Sequence, residues 1–205
     1  MALVEETILR INDNSMAAYF KTTIDNLWKI LISVAIVGLP AISLFYCFLG
    51  DTEYVESFYL ISPVLLYAVF SIMATNYGNA FQAALKMKEI AFTSIAGMIV
   101  TVVATVIGVP IFGPFAAACA LAFGMGLTLI ARRRRAKELI GFQDSFFPVV
   151  MLLLFTIESF GAFFLDSSHS IAMSLILFVV SLAIVAKPAW SAVIELKNLP
   201  DRQVG

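Results

Sequence analysis

Few residues in this sequence have the capacity for chemistry: one carboxyl, one run of amides and one block of arginines. Glu158 is the single acidic residue well inside an apolar segment, about 12 Å from the outer end at Asp166 by helical rise. A carboxyl placed there is a proton or cation site or a lining group of a polar cavity; kept neutral, it instead hydrogen-bonds a neighbouring helix. Asn76, Asn79 and Gln82 recur at i+3 with Thr75 and Tyr77 beside them, a slowly drifting stripe on one helix. Amides in such a stripe either glue helices together or line a hydrated path for a substrate. Arg132, Arg133, Arg134 and Arg135, with Lys137 just beyond, act as orienting charge beside anionic lipid or as a site for lipid phosphate or diphosphate.

Much chemistry is missing. The sequence has no phosphate-binding Walker loop, no His-Glu-x-x-His, no Gly-x-Ser-x-Gly and no aspartate-rich loop, so neither an enzyme nor a cofactor is expected. A lone histidine, His169, cannot build a histidine metal centre, and Cys47 and Cys119 match no ligand spacing; they read as small packing residues or, alternatively, as a pair. No metal site and no nucleic-acid partner are expected.

The elements that must position these residues follow from composition. Of 205 residues, 61% are hydrophobic and 13% charged, and mean hydropathy is +0.96. A soluble domain is nearer half apolar and a quarter charged, so the expectation is an all-α integral membrane protein. Six apolar spans are predicted, at about 27–49, 58–85, 90–109, 115–131, 146–165 and 171–190, each about long enough for a bilayer. Residues 1–26 are mixed in polarity and read as a surface-lying helix or a loop, without the pattern of a cleaved signal. Residues 191–205 read as a cytoplasmic tail.

Orientation comes from the cations. The loops expected after spans one, three and five, at 50–57, 110–114 and 166–170, hold no Lys or Arg. All 13 basic residues fall on the opposite side or in the flanks. That asymmetry predicts six spans with both termini cytoplasmic. In span four, Ala116, Ala120 and Gly124 repeat at i+4, and Ala118, Ala122 and Gly126 repeat on a neighbouring face. Small residues at this period let backbones approach closely in lipid, which predicts a central helix.

Three passages carry a resemblance. Gly78-Asn79-Ala80-Phe81-Gln82-Ala83-Ala84-Leu85-Lys86-Met87-Lys88 closes one span, and Val109-Pro110-Ile111-Phe112-Gly113-Pro114-Phe115-Ala116-Ala117-Ala118 opens another. With the upstream Gly50-Asp51-Thr52-Glu53-Tyr54, this succession resembles the C-terminal part of polysaccharide biosynthesis flippases of the multidrug/oligosaccharidyl-lipid/polysaccharide exporter superfamily. It departs where Pro114 and Phe115 stand in place of a second glycine. The likeness covers residues 15–137, and more loosely extends to 190. It implies part of the C-terminal lobe of a 12–14-helix flippase in the bacterial inner membrane, with the preceding helices absent. The implied activity is movement of a lipid-linked oligosaccharide or polysaccharide (lipopolysaccharide, O-antigen) precursor, with membrane lipids and a complementary N-terminal half, or self-association, as partners. In that picture Asn76, Asn79 and Gln82 line the path, Glu158 couples a cation and the arginines engage diphosphate. The alternative expectation is a six-helix structural or accessory subunit that carries no substrate.

Overall fold

The computed structural model describes residues 14–49, 59–141, 150, 152–153, 155–156 and 171–197. Five long helices run through them: α1 (Asn14–Leu49), α2 (Ile61–Ala83), α3 (Met87–Phe112), α4 (Pro114–Ile140) and α5 (Ile171–Lys197). There is no strand among the described residues. All five helices contain a stretch long and apolar enough to cross a membrane, and on that ground the chain is read as an all-α, multi-pass membrane protein. Most of the span expected at 146–165, Glu158 included, lies outside the described residues.

Helix boundaries differ from the apolar spans in informative ways. α1 begins at Asn14 rather than near residue 27, so part of the expected leader is one rod with the first span. No Gly or Pro interrupts residues 14–26, and a helix already nucleated extends cheaply. α5 runs on past Pro188 to Lys197, into the stretch expected as a tail. α4 continues through all four arginines to Ile140 and stops at Gly141. That glycine is left-handed, and its N–H donates to the Lys137 carbonyl, a C-terminal cap that favours glycine.

Only one residue separates α3 from α4. Gly113 has φ 63° and ψ −151°, a region that residues with a Cβ essentially do not enter. Its N–H donates to the Val109 carbonyl, and Pro114 takes the first position of the new helix, where a missing N–H costs nothing. The turn from α2 to α3 is made differently. Lys86 N–H donates to the Phe81 carbonyl and Leu85 N–H to the Gln82 carbonyl, the paired bonds of a Schellman cap. Its left-handed position is held by Leu85, at φ 57°, where glycine is usual.

The chain divides into two units, Met1–Ile24 with Pro63–Asp144, and Asp25–Ser62 with Ser145–Gly205. In the second, Lys29 Nζ lies 3.8 Å from a Glu195 carboxylate oxygen and donates to Asn26 Oδ1, tying α1 to α5. In the first, Phe20 meets Tyr77 edge to face, 6.1 Å between ring centroids.

Within the first unit, α3 and α4 form a tight antiparallel hairpin. Thr101 donates its hydroxyl to the Gly97 carbonyl, and Thr128 donates to the Gly124 carbonyl. Across the interface each hydroxyl covers the other helix's glycine. A Cβ on Gly97 would overlap Thr128 Oγ1, and one on Gly124 would overlap Thr101 Oγ1. Two Gly-x-x-x-Thr segments thus pack face to face, with four residues up α3 matched by four down α4. The period-four stripe of α4 is therefore spent against α3, where Ala116 also meets Gly108. Gly126, on the neighbouring stripe, faces the Phe70 ring of α2 instead. Within this unit α4 thus uses both small-residue faces, one against α3 and one against α2.

Candidate functional site

One helical turn beyond Thr128, the same stripe of α4 arrives at Arg132. Its position is set by the hairpin register: Thr101 lies opposite Gly124, Gly97 opposite Thr128, and Thr93 opposite Arg132. The residue is 8% exposed. Nε donates to Thr93 Oγ1 at 3.1 Å, Nη2 to Ser94 Oγ at 2.7 Å and Nη1 to the Ala74 carbonyl at 2.9 Å. One guanidinium therefore joins three helices, α2, α3 and α4. Thr93 is held in place by donating to its own helix at the Glu89 and Ile90 carbonyls. Gly78 leaves room for the fork, since a Cβ there would stand 3.2 Å from Nη1.

From Arg132 a groove of about 360 Å³ extends between the same three helices. Its α2 wall carries Tyr67, Ser71 and Thr75, its α3 wall Ser94 and Thr101, and its α4 wall Thr128, with Met98, Leu121 and Met125 supplying apolar surface. Six hydroxyls and one cation thus line a space between helices long and apolar enough to cross a membrane. A buried cation among apolar helices is by default a candidate functional group.

The four arginines separate here. Arg132 turns inward. Arg135 pairs with Glu89 at the start of α3 and lies over the Phe92 ring, 5.8 Å from its centroid. Arg134 is exposed. The expected amide stripe stays outside the groove: Asn76 donates to the Ile72 carbonyl of its own helix, while Asn79 and Gln82 are exposed. Two residues on from Ala74, Asn76 is rotated about 200° away from it. Glu158 is outside the described residues, and Cys119 is unpaired.

Tyr67, Ser71, Thr93, Ser94, Thr101 and Thr128 escaped the sequence reading. A signal was nonetheless present. Extending Ala116, Ala120 and Gly124 by two more steps of four reaches Thr128 and then Arg132, and Thr93, Gly97 and Thr101 share that period on α3. A cation continuing a buried small-residue stripe is an inward-facing cation.

No family model, no curated protein and no solved structure matches this chain.

Proposed function

We propose that the chain is a six-span inner-membrane protein of a bacterial cell, with cytoplasmic termini, that handles a lipid-linked oligosaccharide as the C-terminal, flippase-like portion of a transporter. The observation that carries this reading is the groove between α2, α3 and α4, with hydroxyls along its walls and Arg132 at its end. An amphiphile crossing a bilayer needs hydrogen-bonding partners for its sugar head while its tail stays in hydrocarbon. A hydroxyl-lined groove between helices suits that need. Helices supplied by a complementary half would close it, since alternating access requires two bodies about one site. Glu158 remains the proposed coupling carboxyl, and the amides Asn76, Asn79 and Gln82 are proposed to continue the polar path beyond the groove.

The test is reconstitution with the upstream partner in liposomes holding a fluorescent lipid-linked sugar, with translocation followed by a membrane-impermeant quencher. Movement that Ser71→Trp abolishes supports the proposal. A sugar lipid neither bound nor moved removes it.

One observation favours the second reading, an accessory bundle without substrate. Nε, Nη1 and Nη2 of Arg132 each already engage an acceptor of the bundle, as a purely structural pin does. In that case Ser71→Trp leaves the assembled complex fully active.

A further inference from the structure

Arg132 is buried, and its three acceptors are neutral: two hydroxyls and a carbonyl. Among the described residues no carboxylate pairs with it, because Glu89, the acid of this region, pairs with Arg135. Hydrogen bonds orient a guanidinium but leave its charge uncancelled, and an isolated buried charge is costly. The charge also borders a space large enough to hold a small ligand, within the size range of natural sites.

The supply of donors around that space is uneven. A guanidinium carries five N–H groups, of which three are spent, leaving one each on Nη1 and Nη2. Ser94 accepts from Nη2, so its own proton is available to a ligand. Ser71 and Tyr67 add hydroxyls farther along the wall. The threonines differ: Thr75, Thr101 and Thr128 all give their protons to carbonyls of their own helices and offer only lone pairs. Positive charge and the Ser94 donor lie at the Arg132 end, with the Ser71 and Tyr67 hydroxyls and methionine surface farther along.

We infer that this groove is a binding site for an oxyanion, a phosphate group seated against Arg132 and Ser94 with its organic substituent lying along the hydroxyl- and methionine-lined remainder of the groove. The charge-assisted fork suits phosphate geometry. The same chemistry is presented by a lipid headgroup and by a soluble phosphate. The inference does not depend on sugar-lipid transport, so a failed translocation assay leaves it standing.

The full chain in phosphatidylcholine nanodiscs is titrated calorimetrically with dihexanoyl phosphatidic acid, alone and in the presence of inorganic phosphate. Binding is expected for the wild type, weakened about tenfold or more by Arg132→Gln and unchanged by Lys88→Gln, an exposed cation of the same unit. Competition by inorganic phosphate identifies a seat for the free oxyanion, and binding without competition identifies the lipid headgroup; both outcomes support the site. Absence of binding, or equal weakening by Lys88→Gln, overturns it. Should Arg132→Gln fail to fold, Tyr67→Phe combined with Ser71→Ala keeps all three Arg132 bonds, and an unchanged Kd in that variant overturns the site as well.

Discussion

The hydroxyl of Thr128 stands where a Cβ on Gly97 would have to be, while the Gly124 carbonyl to which it donates lies 3.0 Å from that same point. The α3–α4 hairpin therefore has no room for even one methyl group at its crossing. Gly97→Ala is expected to destabilise the protein by about 1–3 kcal/mol, read as a lower unfolding midpoint in detergent. Adding Thr128→Ala removes the overlapping hydroxyl and should recover part of the loss, a coupling of at least about 0.5 kcal/mol. Gly38→Ala is the control, because nothing lies within 4 Å of a Cβ there. Strictly additive effects of the two substitutions would refute the interlocked crossing.

Arg132 and its near neighbours should respond very differently to truncation. Hydrogen bonds to a charged group are worth about 1.5–3 kcal/mol, so Arg132→Ala is expected to lower stability by at least that much and to loosen α2 from the hairpin. Hydrogen exchange of the α2 backbone reports the second effect. Glu89→Gln removes a partly exposed ion pair and should cost under about 1 kcal/mol. A comparable loss in both variants contradicts the inward placement of Arg132.

The two turns of the first unit invite opposite substitutions. Leu85 holds a left-handed conformation that costs a residue with a Cβ roughly 1–2 kcal/mol, and it is exposed. Leu85→Gly is therefore expected to raise stability by about 1 kcal/mol. Gly113→Ala meets no atom within 4 Å, yet forces alanine into a region reserved for glycine, at a cost of about 1–3 kcal/mol. Chemical denaturation of both variants checks the pair, and a gain from Gly113→Ala would contradict the hairpin geometry.

The passages around Lys86 and Gly113 read as turns between spans, and both do connect consecutive long helices. Their form was less legible. Residues 110–114 read as a Pro/Gly loop, whereas α3 passes through Pro110 and only Gly113 breaks the helix. Helix ends depend on which carbonyls find partners, and composition does not record that.

By itself the sequence determined the helical class and the close packing of α4. Long apolar runs must become helices in lipid, where every backbone group needs an internal partner, and alanine and glycine at period four must pack closely. The period-four stripe points to Arg132 among the four adjacent arginines, but it does not say which acceptors that side chain meets. Tertiary structure decided what Arg132 meets, because its acceptors at Thr93, Ser94 and Ala74 lie 39, 38 and 58 residues away in sequence. Only the register of the Gly97–Thr128 and Thr101–Gly124 crossing brings them within reach, since a side chain's neighbours across an interface are set by the phase of two helices together.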